Sequence, residues 1–289
     1  MRTTPATASS NGVPIPFTEE LFRPLPDSTD LLDDPQELRR RFREQGVVRL
    51  RGVLDRSAVL AVREAYLATL PPGMLRPGSR TMDGLFSGVV PDGVPEHGVP
   101  GHPAHAFVRG DVFRRFVEQP ALHRLAETLL GAPALRLRRT VLRHFYAGSN
   151  RASRAHTDHA YLDRGTDEVV TAWVPIGDCP LETGPIVYLE DSQNIDPRRL
   201  EELRERLDRP HDRRPLSHDL EWTARVLGRR WLWADFEAGD VALHGSHIVH
   251  ASLDTVTEAM RVSVDMRFVR RGDKVDDRWR KDWSGDDGA

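Results

Sequence analysis

Cysteine is almost absent from this sequence: Cys179 is the only one in 289 residues. An internal disulfide is therefore excluded, which fits a reducing, cytoplasmic setting. Lysine is nearly as scarce, with only Lys274 and Lys281, so arginine carries the positive charge. That scarcity reads as a compositional habit of the genome. Neither sign of charge is in excess, since 41 basic and 44 acidic residues leave a net charge of −3. This balance argues against a nucleic-acid partner, whose grip would rest on neutralising phosphates. No apolar run approaches the ~18–20 residues that cross a bilayer, which argues against a membrane partner. The opening stretch, MRTTPATASSNGVPIPFTEE, also lacks the apolar core of a secretion signal. What is present is 39% hydrophobic and 29% charged residues, the texture of a globular chain long enough for one large core.

Residues 1–30 are rich in Thr, Ser, Pro and Asn without periodicity, which predicts a loosely ordered arm. Residues 31–289 read as a single domain. Leu38 and Phe42 mark a helix stopped at Gly46, and Val59, Val62, Tyr66 and Leu70 mark a second with Asp55 as its cap. A short strand, Val47–Leu54, lies between them. Residues 71–103 contain 14 glycines and prolines, so a regular element is excluded and a functional lid is suggested. Helices return over Asp111–Leu130, interrupted at Pro120 and stopped at Gly131. From Leu135 the texture is β: Leu135–Tyr146, Val169–Ile176, Pro185–Leu189, Trp231–Phe236, Val241–His250 and Met260–Val269 all fit strands. One helix breaks in, with Asp196 as cap, Pro197 at its first position and Leu200, Leu203 and Leu207 as its stripe. Helices followed by many strands predict a β sandwich or barrel braced by helices outside.

Among the 12 histidines, the pair worth isolating is in His156-Thr157-Asp158. Residues two apart in an extended segment point to the same side, so His156 and Asp158 can offer a nitrogen and an oxygen to one ion. A third ligand has to come from far along the chain. His244, His247 and His250 are candidates, and strand parity places His244 and His250 on one face. Downstream context separates these two. Eleven residues beyond His250 stands Arg261, opening a run in which Arg261, Ser263, Asp265 and Arg267 share one face. Val262, Val264, Met266 and Phe268 share the other. Eleven residues beyond His244 stands Thr255, which supplies no fixed cation.

The order His-x-Asp, distal His, then Arg eleven later resembles the phytanoyl-CoA dioxygenase-like branch of the Fe(II)/2-oxoglutarate oxygenases. The phrases REQGVVRLRGVLD, VVTAWVPIGDCPLETGPIVYLEDSQ, EAGDVALHGSHIVHASLD and MRVSVDMRF are similar to that family's strands, over about residues 35–283. The resemblance implies a double-stranded β-helix, a cupin-like jelly-roll barrel with flanking helices. It implies His156, Asp158 and His250 as the facial triad for Fe(II), with O2 as oxidant. It further implies 2-oxoglutarate as cosubstrate, its distal carboxylate held by Arg261 and Ser252, and Trp173 in the same pocket. Thr140 and Arg143, on the strand before the metal motif, are the candidates for an upstream cosubstrate contact. Relatives that halogenate carry Gly or Ala where Asp158 stands, so oxygen transfer or desaturation is implied instead. The expected activity is hydroxylation of a small organic molecule in specialised metabolism. Oxidative ring closure, desaturation, acyl-CoA hydroxylation and a non-oxidative cupin-like barrel are the alternatives. Two stretches depart from the family's pattern: Leu253-Asp254-Thr255 where Asn is frequent, and Glu190-Asp191-Ser192-Gln193 where Pro-Gly-Ser-His is frequent.

The remaining residues read more plainly. His159 is expected to face away from the iron. His97, His102 and His105 are expected in a solvated loop, and His144 in a strand without a direct role. Arg267 is expected to pair with Asp265, and Arg198–Arg206 to be a solvated helix face.

Overall fold

A computed structural model of the chain describes residues 6–205 and 214–284. Along the chain run β1 (Thr7–Ser10), β2 (Val13–Pro16), β3 (Phe22–Pro24), α1 (Pro35–Gln45), β4 (Val47–Leu50) and α2 (Arg56–Leu67). Then come α3 (Pro103–Phe107), α4 (Asp111–Val117), α5 (Pro120–Leu130), β5 (Ala134–Arg136), β6 (Val141–Phe145) and β7 (Val169–Pro175). The last are β8 (Ile186–Leu189), α6 (Pro197–Glu205), α7 (Leu220–Leu227), β9 (Trp231–Trp233), β10 (Val241–Gly245), β11 (His250–Ser252) and β12 (Arg261–Arg270).

The helix ends follow their sequence signals. Asp34 and Asp55 accept the backbone N–H groups of Glu37 and Ala58, capping α1 and α2. Gly46 and Gly131 end α1 and α5 in the left-handed conformation. Pro120 opens α5 and separates it from α4, as expected. Residues 71–102 hold no strand or α-helix, only a 3-10 turn at Thr81–Asp83. Leu207, expected on the α6 stripe, lies outside the described residues, while Leu200 and Leu203 are buried. No helix among the described residues is long and apolar enough to cross a membrane.

One sheet runs β4-β10-β7-β12-β5, with β6 also pairing β12; the other runs β11-β8-β9-β3. Val47, Trp173 and Ala242 of the first pack against Ile186, Tyr188 and Leu232 of the second. The far side of the first sheet carries the helices. There Val262, Val264, Met266 and Phe268 of β12 join Leu38, Val59 and Tyr66 in the main core. Arg261, Ser263, Asp265 and Arg267 therefore face the barrel interior, which is polar where a purely structural sandwich would be apolar.

Two expectations are overturned. The loose arm is, from residue 6 onward, a hairpin of β1 and β2 followed by β3 alongside β9. Ile15, Leu21, Phe22 and Leu25 are buried, spaced too irregularly to show a period. The Ser10 hydroxyl donates to the Ser252 carbonyl at 2.8 Å, and Asp254 accepts from the Asn11 and Gly12 N–H groups at 2.9 and 2.8 Å. The hairpin is thereby latched to β11. Second, Val241–His250 is two strands in different sheets, because the chain turns after Gly245.

Gly184, just before β8, has φ +76, and a Cβ there would clash with the Leu253 carbonyl oxygen. Gly184→Ala is expected to lower stability by about 2–4 kcal/mol, combining left-handed strain with a backbone clash. Urea denaturation measures this, and an unchanged midpoint would contradict the assignment.

Candidate metal centre

His156 and His250 are joined directly by backbone: each N–H donates to the other's carbonyl, at 3.0 and 2.9 Å. This brings their rings to 4.2 Å between centroids. Asp158 begins a 3-10 turn two residues on and points to the same place. One ligand atom from each of the three lies within 4.8 Å of the others. The His156 Nδ1 faces the Arg154 carbonyl at 2.6 Å, and the His250 Nδ1 faces the Ile248 carbonyl at 3.1 Å. A carbonyl only accepts, so both Nδ1 atoms carry the proton and both Nε2 lone pairs are free for a metal.

The carboxylate is held as firmly. Thr171 donates to the Asp158 Oδ2 at 2.5 Å, and Arg267 donates Nη2 to Oδ1 at 3.0 Å and Nε to Oδ2 at 3.3 Å. Burial alone pushes this carboxyl's pKa up. The Arg267 guanidinium foremost outweighs burial and holds it well below the carboxylate range. Burial also holds His156 below the ordinary value of 6.5, and His250 well below it. Two neutral imidazoles and one anion are the protonation states a divalent metal needs.

A second group of features continues inward from the triad. Arg261 is 2% exposed. Its Nη1 donates to the Gly184 carbonyl at 2.9 Å and the Ser252 hydroxyl at 3.2 Å. Its Nε has no hydrogen-bond partner, and among the described residues no carboxylate forms an ion pair with it. Burial lowers its pKa only to about 10, so it remains charged. Arg261, Ser252 and Trp173 line one recess with His156 and His250.

The phytanoyl-CoA dioxygenase (PhyH) family model matches residues 42–263 of the chain. The chain belongs to the phytanoyl-CoA dioxygenase family. It is accordingly an oxidoreductase that uses iron, 2-oxoglutarate and dioxygen. The protein named 1-deoxypentalenic acid 11-beta-hydroxylase, from Streptomyces arenae, is 30% identical over 272 residues, covering 86% of each chain. Its namesake from Streptomyces exfoliatus is 26% identical over 250 residues, 84% of this chain and 83% of that one. Among solved structures, the alpha ketoglutarate-dependent carbocyclase SnoK from nogalamycin biosynthesis is 20% identical with a TM-score of 0.58, covering 83% of this chain and 85% of that one. The epimerase SnoN, solved with Fe3+, alpha ketoglutarate and nogalamycin RO, is 22% identical with a TM-score of 0.56 and covers 82% and 84%. They share the jelly-roll fold.

Three further residues surround the candidate triad in roles that the sequence did not give them: Thr171, Arg267 and His244. His244 is fully buried on β10, with Nδ1 at 3.1 Å from the Tyr188 hydroxyl and Nε2 at 3.6 Å from the Asp158 Oδ2. It stands behind the carboxylate, across from the strand that carries His250. Arg267 was expected on Asp265; it lies on Asp158 instead, because Arg143 takes Asp265. Thr140 does not reach the recess: its hydroxyl accepts from Arg136 at 3.0 Å. Arg143, the other upstream candidate, lines it. His159 faces away as expected, with its ring stacked on His247 and Nδ1 at 3.3 Å from Asp167.

The histidines of the Gly/Pro-rich stretch do not lie in a solvated loop; His97 is half-buried, with Nε2 3.3 Å from the Leu142 carbonyl. His102 and His105 are buried, and His102 stacks on His144 at 5.1 Å. Burial lowers His102 to about 4 and His144 to about 3. Folded protein keeps both neutral, while the unfolded chain protonates them below the ordinary 6.5. Stability is therefore full above that value and falls as the pH drops from 6.5 toward 4, by at most ~1.4 kcal/mol per pH unit per histidine. Urea midpoints of the metal-free protein at a series of pH values test this; a flat profile through the window would contradict it.

Proposed function

We propose that this protein hydroxylates a small organic molecule of specialised metabolism, using His156, Asp158 and His250 to hold Fe(II) and Arg261 to anchor 2-oxoglutarate. The observation that carries the reading is one recess lined both by metal-ligand candidates and by a buried arginine. His156 and His250 line it, with the ionised Asp158 carboxylate within 4.8 Å of their ligand atoms; so does a buried guanidinium, Arg261, whose Nε has no hydrogen-bond partner among the described residues. An unpaired buried charge is costly, and the distal carboxylate of a diacid supplies the missing partner. The planar fork of Arg261 is already aimed by Gly184 and Ser252, so little ordering remains when the diacid arrives.

Iron bound at the triad would supply dioxygen activation, which splits 2-oxoglutarate into succinate and carbon dioxide and places one oxygen atom into a substrate C–H bond. The chain's own residues bind and orient. The two backbone carbonyls fix the imidazole tautomers, Thr171 and Arg267 hold Asp158 ionised, and Trp173 walls the recess. Of the two upstream candidates, only Arg143 lines the recess, where it already pairs with Asp265. Aerobic Fe(II) protein is expected to bind one iron per chain and to form succinate from 2-oxoglutarate, read by mass spectrometry. Failure to bind 2-oxoglutarate saturably would overturn the reading.

A further inference from the structure

Outside the triad lies a cavity of about 350 Å³, in the size range of small-molecule sites. Its lining includes Arg139, Arg143, Arg151, Arg154 and Arg267, and its only acidic residue among those described is Asp158. Most of these cations are committed. Arg143 pairs with Asp265, Arg151 with Glu96 and Arg267 with Asp158. Arg139 donates Nε to the Arg278 carbonyl at 3.1 Å and lies over Trp279. Arg154 differs: it is half-buried, and among the described residues its guanidinium has neither a hydrogen bond nor an ion pair.

The 2-oxoglutarate anchor does not account for it. Arg261 lines the inner recess and not the outer cavity; Arg154 lines the outer cavity and not the recess. The two guanidiniums thus line different spaces beside His156. Arg154 also has a fixed relation to the metal ligands. It precedes His156 by two residues in an extended segment, and all three of Arg154, His156 and Asp158 face the cavity. Two residues of extended chain span ~7 Å, so an anion on Arg154 sets an attached carbon skeleton beside the metal ligands. Phe145, Tyr161 and Trp279 supply apolar surface for that skeleton.

We propose that the substrate is a carboxylic acid with an apolar body, its carboxylate held on the Arg154 fork; this rests on the oxygenase reading above. A planar fork suits a planar carboxylate, and the positive lining excludes cationic molecules and disfavours neutral ones. Arg154 is on this view a specificity-determining residue, and its side chain takes no part in holding iron or 2-oxoglutarate.

Calorimetric titration with octanoate and cyclohexanecarboxylate, against octanamide and cyclohexanecarboxamide, tests the proposal on metal-free protein and on protein loaded with Ni(II) and 2-oxoglutarate. The acids are expected to bind about ten- to a hundredfold more tightly than the amides, the scale of one charge-assisted contact. Arg154→Gln is expected to erase the difference and Arg154→Lys to restore part of it, with 2-oxoglutarate affinity unaltered in both. Amides binding as well as acids, Arg154→Gln keeping the preference, or no binding by either acid would overturn the proposal. Octyl phosphate outbinding octanoate would overturn the carboxylate assignment. If the oxygenase reading alone fails, 2-oxoglutarate does not bind the Ni(II) protein while the acid preference survives on metal-free protein. If only this proposal fails, 2-oxoglutarate binds and the preference is missing.

Discussion

Asp158→Ala is expected to abolish succinate formation and also to weaken the metal-free fold by about 3–5 kcal/mol. Loss of a metal ligand explains only the first effect. The second follows from Arg267, which is 4% exposed and donates to both Asp158 oxygens. Removing the carboxylate strips a buried cation of the anion it lies against, a far larger loss than for a surface pair. Asp158→Asn keeps the volume and one acceptor, so it is expected to lose iron equally but to destabilise less. Iron content after purification and urea denaturation of the metal-free variants read the two effects separately. Turnover retained by Asp158→Ala would dismiss the metal assignment, and an unchanged unfolding midpoint would dismiss the role given to Arg267.

Arg261→Ala is expected to raise the apparent KM for 2-oxoglutarate by roughly 30-fold to several thousandfold, with iron content preserved. The range follows from ~2–5 kcal/mol for truncating one partner of a buried, hydrogen-bonded charge pair. Arg261→Lys keeps the charge and loses the fork, so it is expected to fall between. Ser252→Ala, which removes one neutral hydroxyl contact, is expected to cost about tenfold or less. Steady-state kinetics with varied 2-oxoglutarate measure all three. An unchanged KM in Arg261→Ala would mean that the diacid is held elsewhere.

Much of this architecture is legible in the chain because β12 alternates so strictly. Four polar residues interleaved with four apolar ones announce a strand with one packed face and one lined cavity, and the structure places them so. His156 and Asp158 are legible for the same reason, since a two-residue step in extended chain needs no tertiary information. His244 is not. Parity across Val241–His250 treats the stretch as one strand, whereas the turn after Gly245 sends His250 into the opposite sheet. Both imidazoles still reach one centre, from two sides. The partner of Arg267 is hidden for a related reason. Asp265 is its neighbour on the same strand face, but same-face neighbours stand ~7 Å apart, and Arg143 on the adjoining strand is better placed for Asp265. The amino-terminal hairpin is invisible because its few apolar residues are diluted among Thr, Ser and Pro.

That hairpin precedes the span shared with the family, which begins at residue 42. Yet Asn11 lines the outer cavity, and Ser10 and Asp254 tie the hairpin to the strand carrying His250 and Ser252. A version lacking only the hairpin would keep His156, Asp158 and His250 and lose part of the cavity wall. Exchange of a few residues in this short preface can therefore reshape the outer cavity without replacing any of His156, Asp158, His250 or Arg261.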